Sequence, residues 1–522
     1  MVFFKKELIP MENSTLLTIY KESLKKSASE ETLLTVVNSH LETVDYDMPT
    51  LDAKSSRAAA CLRAHGCQKG DRVLISSRET IRIWSFFFGA LKLGAAPCVL
   101  FPEIGLGGLE VRLKASDTRF FVTDADPEKL CNGIRFPETL SKIILLGGSS
   151  DKPGFISYNE EDWEPTSEVA EVGPDDDAFI VFTSGTTGTP KPVVHRHGIA
   201  KAIVHSMTDI LHASPSDIYW CTAHPAWITG TVYGILGPIL CGIHSIQYEG
   251  KFHAKRWIPI LQDQKVSLWY TAPTALRGLM RENADFFDGY DVSALKQIYS
   301  IGEPLSVQLF EWGQQTFHMP IYDTWFQTEC GTIRIANQPG QKIIPGWMGK
   351  SVPDSEAKIT NPNAEGIGKL TLQAGFPSMF KEYYNMPDET AQKVDGDAYF
   401  TGDLASVNAE GYFHFEGRAD DVINTSGHLV GPLEVEQVLM AHPAVDLAVV
   451  TAEPDELCYE VPAAYIVLAE GQEWSHQLET ALKVAVNAGV SPYAVPKHFY
   501  PVDSLPQTQS GKINRRKLGN RS

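Results

Sequence analysis

Ala178-Phe179-Ile180-Val181-Phe182-Thr183-Ser184-Gly185-Thr186-Thr187-Gly188-Thr189-Pro190-Lys191 carries an apolar strand pattern into a run of hydroxyls and glycines that ends on a lysine. Residues 178–182 predict a buried strand. The loop after it is built to wrap phosphate oxygens, because glycine lets backbone amides approach closely while Ser and Thr add donors. It is not a Walker A loop, since no Gly-Lys-Ser or Gly-Lys-Thr occurs where that motif needs it. Read by itself, the segment also has the composition of a flexible surface loop.

Outward from this stretch, short β-rich runs alternate with longer helical patterns. Upstream lie Arg72 to Ser77, a helix through Lys92, Ala95 to Phe101, Phe120 to Thr123 and Lys142 to Leu146. Downstream lie Ile218 to Thr222, Ser267 to Thr271, Gln297 to Ile301 and Ile321 to Trp325. The alternation, with Ala178 to Phe182 inside it, predicts parallel sheets covered by helices. After Trp347, Pro353, Pro362, Gly366 and Gly368 punctuate short strands, which predicts a small β subdomain reaching to about Gly417. From Asp420 onward, Pro432 to Ala441, Leu447 to Thr451 and Ala463 to Leu468 supply enough patterning for a separate domain of about 100 residues. The expected class is therefore α/β: a large N-terminal domain over 1–419, made of helix-covered sheets with the β subdomain, and a small α+β domain over 420–522.

Composition narrows the function. At 522 residues the chain is longer than one hydrophobic core can serve. A formal charge of -19 argues against a nucleic-acid partner, so any anionic ligand must be met locally. The eight cysteines lack zinc or redox spacing, even at Cys61 and Cys67, and predict reduced core residues in a cytoplasmic protein. Met1 to Lys6 is too briefly apolar for a signal peptide. Ile81 to Phe101 contains Arg82 and Lys92, which suits a buried helix and strand better than a membrane span.

Five further segments occur in order downstream of the loop: Ser300-Ile301-Gly302-Glu303-Pro304, Asp323-Thr324-Trp325-Phe326-Gln327-Thr328-Glu329, Thr401-Gly402-Asp403, Gly417-Arg418-Ala419-Asp420-Asp421 and Ser510-Gly511-Lys512. With the loop, they closely resemble the signature of the acyl-adenylate-forming superfamily, from Thr183 to the C-terminus; the first 180 residues match only in α/β pattern. Trp227-Ile228-Thr229-Gly230-Thr231-Val232-Tyr233-Gly234, Tyr270-Thr271-Ala272-Pro273-Thr274-Ala275 and Thr425-Ser426-Gly427 bring the resemblance nearest to short-chain enzymes of the acetyl-CoA synthetase type.

The resemblance implies an enzyme that activates a small carboxylic acid with ATP and passes it to coenzyme A. It assigns Thr183, Ser184, Gly185, Thr186, Thr187, Gly188 and Lys191 to the β- and γ-phosphates, and Glu329 to magnesium, which prefers hard oxygen ligands. Gly302, Glu303 and Pro304 are expected against adenine, and Asp323, Thr324, Trp325, Phe326, Gln327 and Thr328 around the base and α-phosphate. Asp403 is expected on the ribose hydroxyls with Arg418 beside it. Lys512 is expected to reach the forming adenylate, although its basic surroundings would also pass for a solvated charge run. The resemblance further implies a mobile C-terminal domain with its hinge at Asp420, and a pantetheine path at Ser426 and Gly427.

The matching acyl-pocket positions are Trp227, Ile228, Thr229, Ile301 and Phe326. Acetate-type relatives carry Trp where Phe326 stands, and Val at 228 and 301, so an acid of the acetate or propionate class is expected. Three other departures are Pro192 for Gly, Cys330 for Thr, and Leu429 for an Arg near the phosphates. Leu429 implies slower adenylation, a different acid, or a compensating cation such as His428. His195-Arg196-His197 has poor metal-ligand spacing. Cys330 as a nucleophile is not required by adenylate chemistry, and Trp269 and Trp347 read as core. The competing readings are transfer to a carrier-protein phosphopantetheine instead of free coenzyme A, and a binding protein that keeps the scaffold without catalysis.

Overall fold

The computed structural model describes residues 14–26, 31–184, 190–419, 421, 423–425, 428–455, 459–507 and 513–518. The chain divides into two compact units, residues 1–356 with 373–399, and residues 357–372 with 400–522.

In the first unit, the helix Thr80–Lys92 buries Ile83, Trp84, Phe86, Phe87, Phe88 and Leu91, nearly its whole circumference. A helix this apolar must lie inside, and no helix among the described residues is long and apolar enough to cross a membrane. The helix Met48–Ala64 packs on it, its start capped by Asp47, which accepts from the Thr50 amide. Their contact is close because Gly89 has no side chain: a Cβ there would sit 2.9 Å from the Ala59 nitrogen. Lys92 is buried between them and donates to Asp52 Oδ1, Ser55 Oγ and Ser56 Oγ.

Two parallel sheets follow the expected alternation. One has the order Ala96–Val99, Arg72–Ser76, Phe120–Thr123, Lys142–Leu145, Phe155–Ser157. The other runs Ile321–Trp325, Gln297–Ser300, Leu268–Thr271, Ile218–Cys221, His244–Tyr248, Thr32–Val37, all parallel. Antiparallel strands continue it at both ends, Thr43–Asp47 at one and Ile335–Ala336 with Gly349–Ser351 at the other. Trp220, Trp257, Trp269, Ile298, Leu309 and Phe317 pack in a core that includes its helices.

Two expectations are corrected. The Ala178 to Phe182 strand does not join a parallel sheet. As Asp177–Ser184 it forms an antiparallel hairpin with Pro190–Arg196, which pairs in turn with Glu382–Tyr383. Neighbours close in sequence can form such a hairpin without a helical crossover. Trp347 is half-buried, not core, although Trp269 is fully enclosed.

The second unit contains the strands Lys358–Thr360 and Tyr412–Arg418 and a five-stranded sheet. In that sheet the long pair Val445–Asp455 and Tyr459–Leu468 is antiparallel, and His498–Pro501 lies parallel to the second. The helices Pro432–Met440 and His476–Gly489 supply Val435, Leu439, Leu482 and Val486 to its core.

Candidate active site

Three parallel strands of the first unit end side by side. Thr271 pairs with Ser300, and Ser300 with Asp323, so residues from two of the predicted motifs leave the sheet at one edge. Ser300 Oγ donates to Asp323 Oδ1 at 3.0 Å, Thr324 Oγ1 donates to the Ser300 carbonyl at 2.7 Å, and Thr324 and Tyr270 share a hydroxyl contact at 2.8 Å. Burial pushes the Asp323 carboxyl up to about 7, against the hydrogen bonds from Ser300 and the Thr324 and Leu305 amides. Beyond Ser300 the chain turns at Gly302, whose φ of +94° favours glycine, and no atom lies within 4 Å of where its Cβ would be. That opening suits a flat ring. Glu303 is held off to the side by Arg277 and Thr274. Ser306 then caps the helix Val307–Phe317.

Past Phe326, Gln327 accepts from Tyr399 Oη at 3.2 Å, and Thr328–Cys330 forms a single tight turn. The hairpin of Asp177–Ser184 and Pro190–Arg196 is bonded to this turn. His195 Nε2 lies 2.8 Å from the Thr328 carbonyl, which can only accept, so Nε2 carries the hydrogen. His195 is fully enclosed, stacks on Phe179 and is pulled down to about 4 by desolvation, which keeps it neutral. It ties the hairpin to this turn; among the described residues no three His, Cys, Asp or Glu side chains group as a metal cage. Tyr383, in the strand beside the hairpin, donates its phenol to Glu329 Oε1 at 2.5 Å, while Lys191 Nζ sits 5.0 Å from the centre of its ring. Thr183 pairs with Lys191 and Ser184 with Pro190 across the hairpin. Gly185, Thr186, Thr187 and Gly188 lie outside the described residues.

The positions expected to line an acyl pocket come from several elements. Ile301 and Phe326 follow neighbouring strand ends, and Ile228 and Thr229 precede the helical segment Gly230–Leu236. All four are buried. Phe326 meets Tyr233 edge-on at 5.5 Å; Tyr233 is fixed by Ser206 at 2.6 Å and by the Ile333 amide at 2.9 Å. Trp227 is half-buried and meets Phe101, which stacks on His224.

In the second unit, Asp403 is buried and paired in register with Arg418, whose Nη1 donates to Asp403 Oδ1 at 2.7 Å. Leu429 lies on the strand His428–Val430. Asp420, Ser426, Gly427 and Lys512 lie outside the described residues.

The family model described as AMP-binding enzyme matches residues 32–384, and that described as AMP-binding enzyme C-terminal domain matches residues 434–512. The chain belongs to the AMP-binding enzyme family. It is 36% identical over 483 residues to acetyl-coenzyme A synthetase of Bacillus subtilis (strain 168), covering 91% of this chain and 84% of that one. It is 32% identical over 504 residues to acetyl-coenzyme A synthetase of Rubrobacter xylanophilus, covering 90% and 78%. Its fold matches the crystal structure of an anthranilate CoA ligase in complex with anthranoyl-AMP with a TM-score of 0.84, at 25% identity, over 98% of this chain and 97% of that one. This member of the AMP-binding enzyme family is an acid–thiol ligase that forms AMP and uses ATP and coenzyme A.

Within this AMP-binding enzyme, sequence reasoning missed Tyr383 and Tyr233 and took His195 only as a weak metal candidate. Tyr383 gave no signal because its strand, Glu382–Tyr383, is two residues long. Tyr233 was quoted within a motif, but its grip on Phe326 depends on a contact across 93 residues of chain.

Proposed function

We propose that this ligase joins a short acid of the acetate or propionate class to coenzyme A through an acyl-adenylate. The observation that carries the reading is the clamped aromatic: Phe326 is held against Tyr233, and the other matching positions Ile228, Thr229 and Ile301 are buried. A ring fixed in this way limits the length of an acid more firmly than a free side chain would. The two acetyl-coenzyme A synthetase relatives favour the same class.

In the first half-reaction a carboxylate oxygen attacks the α-phosphorus, acyl-AMP forms and pyrophosphate leaves. Lys191 and the loop donors would hold the outer phosphates, and Lys512 would offset charge as they depart. Glu329 fits magnesium: it offers one buried carboxylate, and this ion takes its remaining ligands from water and phosphate oxygens instead of a protein cage. Magnesium, when bound, would neutralise phosphate charge. Asp403, steadied by Arg418, would accept from the ribose hydroxyls. In the second half-reaction the coenzyme A thiol attacks the acyl carbonyl and AMP leaves, and Ser426 and Gly427 are the residues read as lining the thiol's path. The proposed setting is the cytoplasm.

The test is acid-dependent AMP release with and without coenzyme A, over acetate, propionate, butyrate and an aryl acid. Strong coenzyme A-dependent turnover on acetate or propionate is expected. Preference for the aryl acid would overturn the pocket reading, and adenylate without thioester would point to a carrier-bound thiol. Phe326→Ala should shift preference toward longer acids by about 10–200-fold per added methylene accommodated, the range such a group is worth.

A further inference from the structure

We infer that Tyr383 is a positioning residue that sets Glu329 and Lys191 together for the metal–triphosphate. The inference rests on the reading of those two residues as triphosphate ligands. Tyr383 is 2% exposed, and it touches both groups at once: its hydroxyl donates to Glu329 Oε1 at 2.5 Å, and its ring lies beneath Lys191 Nζ at 5.0 Å. Glu329 follows the strand Ile321–Trp325, whereas Lys191 belongs to the hairpin of a different sheet, so their spacing is not fixed by any single element.

The segment carrying Tyr383 spans both. The Phe380 amide donates to the Glu329 carbonyl, the Lys381 amide to the Val194 carbonyl and the Tyr384 amide to the Pro192 carbonyl, each at 2.8 Å. The two side-chain contacts also reinforce each other. A phenol that donates to a carboxylate has a more electron-rich ring, and an electron-rich ring attracts an ammonium more strongly. Tyr383 thereby holds an anion and a cation apart at a set distance, where a direct salt bridge would make each unavailable to ligand.

The experiment titrates magnesium in acid-dependent exchange of pyrophosphate into ATP, and measures ATP binding at each magnesium concentration by calorimetry without acid. Tyr383→Phe keeps the ring and loses the donor. It should raise the half-saturating magnesium concentration about tenfold, as losing one charge-assisted hydrogen bond does, with the KM for the acid unchanged. Tyr383→Leu should in addition weaken ATP binding where magnesium is saturating. In a Glu329→Gln background, Tyr383→Phe should change the magnesium titration less than twofold.

Unchanged magnesium titration in folded Tyr383→Phe, alongside a clear effect of Glu329→Gln, overturns the inference alone. If Glu329→Gln and Lys191→Ala both leave ATP binding unchanged, the underlying reading of the site fails instead. Should Tyr383→Phe melt early, the double-variant comparison in the Glu329→Gln background decides. Equal effects of Tyr383→Phe in both backgrounds mean general destabilisation and overturn the inference.

Discussion

Asp323 sits where chemistry and stability meet. Its carboxyl is raised to about 7 by burial, above the usual unfolded value of about 3.9. A raised folded value means that the neutral acid is favoured in the fold. The stability this gives is complete below pH about 4 and is lost as pH rises through about 7. Asp323→Asn should remove that part of the pH dependence, and denaturant midpoints of the two proteins measured between pH 4 and 8 would check it. An equal slope in both would place the titration elsewhere. Asp323 was legible in the sequence through its motif, but its protonation was not, because it depends on the burial that the assembled strands impose, which outweighs the opposing hydrogen bond from Ser300.

At the scale of elements, the parallel strands and the buried Thr80–Lys92 helix could be read from alternating patterns. The hairpin partner Pro190–Arg196 could not. Its two prolines argue against a strand interior, yet Pro192 lacks only the donor, and its carbonyl accepts from the Tyr384 amide. Thr32–Val37 was missed for a different reason: its parallel partner His244–Tyr248 lies some two hundred residues away. The turn bearing Glu329 ends on Gly331, which has φ +73°, and a Cβ there would lie 2.5 Å from the Ser378 carbonyl oxygen. Gly331→Ala should therefore cost more than about 2 kcal/mol, from the strained backbone and the displaced carbonyl together. The expected result is a lower denaturation midpoint with weakened ATP binding; a midpoint equal to that of the parent would mean that the turn relaxes freely.

For the whole molecule, one chain must serve two reactions that need different groups near the same phosphorus and carbonyl. The reading of Lys512 makes a sharp prediction at this scale. Lys512→Ala should slow adenylate formation by roughly 10²–10³, while conversion of supplied acyl-AMP to thioester stays near the parental rate. Single-turnover measurement of each half-reaction separates them, and an equal loss in both would reject the assignment. The α/β class, with a large N-terminal and a smaller C-terminal part, was legible in the sequence, whereas the clamp on Phe326 and the Tyr383 contacts emerge only when distant segments meet. The burial of the cysteines matters for the same chemistry. Cys61, Cys67, Cys98, Cys221, Cys241 and Cys330 are all enclosed, and desolvation pushes each thiol up to about 12. An activated acyl group reacts with thiolates, not thiols. Kept protonated, these six sulfurs, including the one next to Glu329, are poor competitors of the incoming coenzyme for an activated acyl group.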